Sequence, residues 1–294
     1  MKITQYAGYE CVELSNESIT LLVTKSVGPR IISLKHTDGK NVLAELPNVT
    51  AECTNVGTYH FYGGHRLWHA PEDVSRTYMP DDEPVTVTEI EHGIHLSQNI
   101  EKFTGIQKSI EVILPGKQPQ VTIKHQITNH GLWPIECAAW AITQVKPGGT
   151  AILPQSKIWS DKLPNRSLVM WPYADMSSQN IKWLKDRMQV KAEFKDAFKI
   201  GFPNPRGWMA YVLDDTLFIK RAPYFSQENY CDFGCSSECY TDDRFIELET
   251  LSPMKLINPG ESITHVETWE LHKGVELPSG ETAFEAFSEK FGLE

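Results

Sequence analysis

Chemistry concentrates in ten consecutive residues, Gly63-Gly64-His65-Arg66-Leu67-Trp68-His69-Ala70-Pro71-Glu72. Two glycines, lacking Cβ atoms, allow a close backbone approach and positive φ. A guanidinium fork, an indole, two imidazoles and a carboxylate follow at once. The stretch is too polar for a plain core strand and too aromatic for an ordinary solvated loop. It is expected to form one wall of a small-molecule site. If it is extended, His65, Leu67 and His69 share one face, and Arg66 and Trp68 the other. Arg66 suits carboxylates, phosphates or sugar hydroxyls. Its structural alternative is a buried ion pair with a nearby acid such as Glu72.

The expected second wall is distant in sequence: Phe245-Ile246-Glu247-Leu248-Glu249-Thr250. Strand periodicity puts Glu247 and Glu249 on one face, roughly 6.5–7 Å apart. A glutamate facing an aromatic-lined hollow can act as a general acid or base once burial tunes it; the alternative is a solvated outer face. His60, His65 and His69 are spaced H-x4-H-x3-H, which matches no helix-borne zinc motif. Cys231, Cys235 and Cys239 recur every four residues rather than as C-x2-C pairs. They read as unpaired thiols, and the six cysteines do not form a disulfide framework. No G-x-S-x-G elbow, phosphate loop or dinucleotide fingerprint is present. Neither a metal nor a nucleotide or nicotinamide cofactor is expected.

The elements that must position these residues read as strands. At 294 residues the chain is long enough for two average domains or for one all-β sandwich. Alternation marks strands around Ile19–Val23, Ile31–Leu34, Val85–Thr88, Val121–Ile127, Pro134–Gln144, Trp208–Leu213, Thr216–Lys220, Phe245–Leu251 and Ser262–His272. Val27-Gly28-Pro29-Arg30 is a turn whose arginine is either a ligand contact or a solvated residue. Asp38-Gly39 is expected to close a hairpin. Residues 47 to 84, which include the ten-residue motif, break the rhythm and read as functional loops on a rigid scaffold. His125 shares an apolar face with Val121, Ile123 and Ile127 and reads as a hydrogen-bonded core residue. Ile181, Leu184 and Met188 suggest a short amphipathic helix. Trp159, Trp171 and Trp183 are candidates either for stacking on sugar rings or for filling core space. A C-terminal helix near residues 282–291 has Thr282 as its expected cap, Glu285 three residues on, and a stripe of Phe284, Phe287 and Phe291. The fold class expected is a large antiparallel two-sheet sandwich in one domain. The formal charge of −10 argues against a nucleic-acid partner and an anionic membrane surface. No stretch approaches ~20 apolar residues, and the N-terminus lacks the apolar core of a signal peptide, so a cytoplasmic location is expected.

These residues, in this order, resemble the galactose mutarotase-like superfamily, and within it a branch with a G-G-x-R-L-W-x-A-P-E signature, here Gly63 to Glu72. Leu248-Glu249-Thr250, a Pro259-Gly260-Glu261 turn and a strand ending Trp269-Glu270-Leu271 are similar to the closing part of aldose 1-epimerases. Gly28-Pro29-Arg30-Ile31-Ile32-Ser33-Leu34 is similar to the family's opening G-x-x-I-x-x-L. The resemblance covers nearly the whole chain. It implies a β-supersandwich, a small-molecule carbohydrate ligand, and no redox cofactor or metal. In aldose 1-epimerases the L-E-T glutamate takes the proton of the anomeric hydroxyl. A histidine on a central strand protonates the ring oxygen, and the opened ring recloses on either face. By resemblance Glu249 is the base and Arg66 the sugar-binding arginine. The chain departs from the pattern on the central strand: the family's N-H-x-Y-F stands here as Ala138-Ala139-Trp140-Ala141-Ile142, with Trp140 near the expected histidine. The acid must then come from elsewhere, and His65 and His69 are the nearest candidates.

The leading expectation is a carbohydrate-active enzyme of the mutarotase type. Glu249 is its base, His65 or His69 its acid, Arg66 and Gln144 its hydroxyl ligands, Trp68 and Trp140 its stacking platforms, and Glu247 a further group in the binding wall. The alternative is a non-catalytic sugar-binding protein on the same fold, favoured by Trp140. Glycoside cleavage by a carboxylate pair is a third reading. It fits poorly, because Glu247 and Glu249 lie on the same side of a bound sugar.

Overall fold

The computed structural model describes residues 1–53, 56–158 and 163–294; Trp159 lies outside the described residues. Two large antiparallel sheets pack face to face, as expected for an all-β sandwich. The first follows the order Lys2–Tyr6, Tyr9–Ser15, Ile19–Thr24, Arg30–His36, His65–Ala70, Ile135–Val145, Ile246–Leu251, Ser237–Thr241, Phe198–Phe202, Val169–Met170, with Lys255–Ile257 paired to one end of Ile135–Val145. The second runs Ile181–Trp183, Arg187–Lys191, Thr150–Pro154, Trp208–Leu213, Thr216–Arg221, Ser262–Lys273, Gln120–Asn129, Ile106–Ile113, Gly93–Ser97, Thr86–Ile90. Among the described residues, no helix is long and apolar enough to cross a membrane.

The strand Ile135–Val145 organises the first sheet. Its two neighbours are His65–Ala70 and Ile246–Leu251, the two expected walls. Every residue of those two neighbours is buried. One face of the three strands, including Leu67, Ala139, Ile246 and Leu248, joins the core against Val121, Ile123 and Trp269 of the second sheet. On the other face Trp68, Ala138, Trp140 and Leu251 cluster with Tyr59, which belongs to a separate hairpin, Glu45–Cys53 with Gly57–Gly63.

That hairpin corrects the first part of the reading of residues 47–84 as loops. Up to Ala70 the described residues form two hairpin strands followed by a central sheet strand, whereas residues 71–84 are loop as expected. A strand covered on both faces loses the alternation that would reveal it. Gly63 and Gly64 have φ of 93° and 71°, and a Cβ on either would sit 2.1 Å from a carbonyl oxygen, of Ala44 and Ile31 respectively. The glycines thus let the chain leave the hairpin and enter the sheet. Arg30 fastens the hairpin. It is fully buried, pairs with Asp81 at 2.6 Å and donates to the carbonyls of Phe61 and Gly63 at 2.8 and 3.2 Å. It is neither solvated nor a ligand contact.

Other local expectations also change. At Asp38-Gly39 the chain turns back, with Val42 N–H donating to the Leu34 carbonyl at 3.0 Å and Asn41 bonded to Ile32 and Leu34, but the strand partners of Arg30–His36 are Ile19–Thr24 and His65–Ala70. Ile181 and Met188 belong to a hairpin of Ile181–Trp183 with Arg187–Lys191, not to a helix. There the two-residue alternation of Met188 and Val190 prevails over the helical spacing. The C-terminal helix Glu281–Lys290 forms and buries Phe284 and Phe287 against Trp208, Ala210 and Ile219 of the second sheet. Its N-cap is Gly280, with no side-chain cap, so Thr282 lies inside the first turn rather than capping it.

Candidate functional site

A cleft of about 610 Å³, counted to its open mouth, lies on the face of the first sheet away from the second. Arg66 and Trp68 enter from His65–Ala70, Trp140 and Ile142 from the central strand, and Glu247 from Ile246–Leu251; Glu72, Tyr78, Tyr173, Lys199, Tyr240 and Arg244 are among the other lining residues. Two-residue alternation across paired strands brings these together, because Trp140 sits opposite Trp68 and Gln144 opposite Glu247. The Trp68 and Trp140 rings meet edge to face at 5.5 Å. On the same face of the strand the small Ala138 leaves space for the second indole.

Glu247 and Glu72 are the carboxylates that line the cleft, and Glu247 is the one set in the sheet. Its Oε1 accepts from Arg66 at 3.0 Å and from Gln144 at 2.9 Å. Arg66 lies with its Cζ 4.3 Å from the Trp68 ring centre, and its Nε and second terminal nitrogen have no partner. Burial raises Glu247 to about 7 despite the Arg66 charge. A carboxyl so placed can both take and give a proton near neutrality. The expected pairing of Arg66 with Glu72 does not form, since Glu72 accepts from the Tyr78 hydroxyl.

Glu249 lies on the same face but deeper. It is fully buried, and its Oε2 accepts from the Trp140 indole at 2.7 Å and from Lys199 at 3.0 Å. Trp140 therefore caps the carboxylate expected to be the base. Lys199 also lies 2.7 Å from Glu238, which stands directly opposite Glu249 in the sheet. Burial works against the Lys199 charge, but Glu249 and Glu238 outweigh it and keep the side chain an ammonium. Burial and the Glu249 charge push Glu238 well above the usual carboxylate range. Sequence reading missed both residues. The alternation of Glu238 with Tyr240 was the available signal, yet nothing local links it to Glu249.

His65 and His69 are on the opposite face of their strand, pointing between the sheets. The assignment of either as the acid beside Glu249 is thereby corrected: a backbone layer separates them from the cleft. His65 belongs to a polar cluster whose bonds fix every proton. The His125 Nδ1–H donates to the carbonyl of His265 at 3.0 Å, so His125 Nε2 accepts from His65 Nε2–H at 2.7 Å. His65 Nδ1 then accepts from the Thr143 hydroxyl at 2.9 Å, which in turn accepts from Lys220 at 2.9 Å. Lys220 also donates to the carbonyls of Ala141 and Leu248 at 2.9 and 2.8 Å and pairs with Glu267 at 3.0 Å. Thr250 donates to Glu267, so His265 Nε2–H donates to Thr250 at 2.7 Å. Burial holds all three histidines neutral, with His125 and His265 lowered to about 3. His125 is thus the core residue expected. His69 is also buried, with neither ring nitrogen bonded.

The histidine trio His60, His65 and His69 is not assembled, since His60 stacks on Tyr62 in the hairpin. The nitrogens of His65 and His125 and a Glu267 oxygen lie within 4.8 Å of one another. The two imidazoles bond each other, however, and the Lys220 ammonium holds the cation position beside Glu267. The six cysteines are buried free thiols. Trp171 stands over Lys199 at 4.7 Å, whereas Trp183 is partly exposed in the second sheet.

No family model matches the sequence, and none of the curated proteins does. Solved structures share the architecture. A TPR-domain containing protein from Parabacteroides distasonis is 15% identical, with a TM-score of 0.64 over 93% of this chain; this chain spans 50% of that protein. A candidate aldose 1-epimerase from Escherichia coli K12 is 10% identical, with a TM-score of 0.56 over 90% of this chain and 99% of its own. A galactose mutarotase-like protein from Lactobacillus casei is 10% identical, with a TM-score of 0.58 over 89% of this chain and 100% of its own. At such identities the likeness concerns the fold, and the chain has the fold of the galactose mutarotase-like proteins.

Proposed function

We propose that the cleft binds a carbohydrate and interconverts its anomers, with Glu247 as the carboxyl that takes and returns the proton of the anomeric hydroxyl. The observation that carries this reading is Glu247 itself, set in an aromatic wall, held by Arg66 and Gln144, and raised by burial to about 7. Tryptophan and tyrosine rings offer apolar faces for a sugar, and the unpartnered Arg66 nitrogens offer donors for its hydroxyls. Glu249, the base implied by resemblance, is sealed beneath Trp140 and Lys199, which favours Glu247 for contact with the ligand.

The test is polarimetry of freshly dissolved α-D-glucose and α-D-galactose, with calorimetric binding alongside. Wild type should accelerate mutarotation, and Glu247→Gln should abolish the acceleration while still binding sugar. An undiminished rate in that variant would remove Glu247 from the mechanism. Binding without catalysis is the second reading. It is favoured by the absence of any histidine from the cleft lining among the described residues. It predicts saturable binding by wild type with no acceleration.

A further inference from the structure

Glu247 handles one proton of anomer interconversion and leaves the ring oxygen without a donor. Lys199 is a charged group of the same wall that this scheme does not use. It stands on Phe198–Phe202, separated from Glu247 by the single strand Ser237–Thr241. Their backbones are thus about 9–10 Å apart, a gap the long lysine side chain reaches into. Its Nζ lies 2.7 Å from Glu238 and 3.0 Å from Glu249. The ring centres of Trp140 and Trp171 flank it at 4.6 and 4.7 Å. An ammonium has three N–H groups. Glu249 accepts one of them, Glu238 lies beside the ammonium as an ion pair, no further acceptor among the described residues takes an N–H, and Lys199 lines the cleft.

Glu238 supports this placement. It is fully buried, directly opposite Glu249, pairs with Lys199 and has no hydrogen-bond partner among the described residues. Facing carboxylates repel, and the ammonium between them offsets that repulsion. It is therefore held at one point rather than left free to swing. Among the charges that line the cleft in the described residues, Arg66 is matched by Glu247, Lys199 by Glu249 and Arg244 by Asp242. Each of these cations already has a carboxylate partner, so a neutral sugar fits best.

We propose that Lys199 is a catalytic residue of the cleft, giving an N–H to the ring oxygen of a neutral sugar, and that Glu238 is the positioning residue that holds it there. This rests on the carbohydrate reading of the cleft. In the step, the anomeric O–H proton passes to the Glu247 carboxylate and the C1=O bond forms. The bond from C1 to the ring oxygen breaks, its electron pair stays on that oxygen, and the oxygen takes a proton from Lys199. Closure on the other face runs the step in reverse and restores both groups, with no co-reactant.

The experiment compares wild type with Lys199→Met, Glu238→Gln and the double variant, using polarimetry of α-D-galactose and α-D-glucose and calorimetry with D-galactose. Removing such a donor costs roughly 10²–10³ in rate, so Lys199→Met should lose at least about 100-fold in kcat while the Kd rises less than tenfold. Glu238→Gln should lose about tenfold in kcat at unchanged KM. The double variant should be no slower than Lys199→Met, since Glu238 acts through the lysine. Because the double variant removes the buried acid together with the lysine paired to it, it keeps the test open should the single variant not fold. A wild-type rate in folded Lys199→Met or in the double variant overturns the inference and leaves the carbohydrate reading standing. An additive further loss in the double variant overturns the positioning role of Glu238. Wild type that binds neither sugar overturns both.

Discussion

Two lysines are buried on opposite faces of the first sheet, and their surroundings differ in one respect. Around Lys220, between the sheets, every polar side chain is bonded: three histidines, two threonines and Glu267 form one chain of donors and acceptors. Around Lys199, on the cleft side, polar atoms are left over. Both Glu238 oxygens, Glu249 Oε1, Gln144 Oε1 and two Arg66 nitrogens lack hydrogen bonds. Buried polar groups are costly unless paired. The completed cluster reads as a fastener for two sheets, and the incomplete one as a surface prepared for a ligand. Adjacent residues face the two clusters, Thr143 inward and Gln144 toward Glu247, so substitutions one position apart can separate the roles.

The largest contrast expected is between the lysines. Lys220→Met leaves Glu267 buried without its cation and three acceptors without their donor. Breaking a buried pair in this way costs about 3–5 kcal/mol. Lys199→Met should cost less than half as much in urea unfolding, because Glu238 can take up a proton and the cleft admits water. Equal losses would erase the distinction.

The pH dependence should also split by face. Glu247 rises from 4.5 to about 7 on folding. Its contribution to stability is complete below about pH 4.5 and is lost as pH rises through 7. At roughly 1.4 kcal/mol per unit this is on the order of 3 kcal/mol. His125 and His265 are lowered to about 3. Their contribution is present above about 6.5 and is lost as pH falls toward 3. Unfolding of wild type and Glu247→Gln at pH 5 and pH 8 isolates the first effect: wild type should lose stability relative to the variant at the higher pH. Parallel curves would show that Glu247 is not buried as described.

The smallest contrast is the sharpest. Thr143→Val strands His65 Nδ1 and one Lys220 N–H, at about 1–3 kcal/mol, and should leave sugar affinity unchanged. Gln144→Met removes one bond to Glu247 from a side chain already half unpaired. It should cost under about 1 kcal/mol of stability but weaken sugar binding. Thermal unfolding and calorimetry on both variants check the crossover. The same direction of change in both readouts would merge the two clusters into one.

Much of this arrangement was legible in the sequence. Strand periodicity placed Glu247 with Glu249, Arg66 with Trp68, and His65 with His69, and the structure keeps each pair on one face. The glycine pair announced a close backbone approach. Failures came where a competing pattern prevailed. The strand His65–Ala70 is covered on both faces, so its residues lack the alternation that separates strand from loop. Met188 and Ile181 matched a helical spacing by coincidence. Thr282 offered a capping side chain, but the helix begins one residue earlier, at Glu281, after Gly280.

By itself, then, the sequence determined the all-β class, the composition of the two walls and which side chains travel together. The tertiary structure decided which face became cleft and which became core. It set Glu247 rather than Glu249 at the opening and withdrew His65 and His69 behind the sheet. It also brought Lys199 and Glu238 to the site. The reason is that a period of two is symmetric: alternation sorts residues into two faces without saying which one a second sheet will cover. That choice comes from pairings between distant segments, such as Glu238 with Glu249 and Gln144 with Glu247.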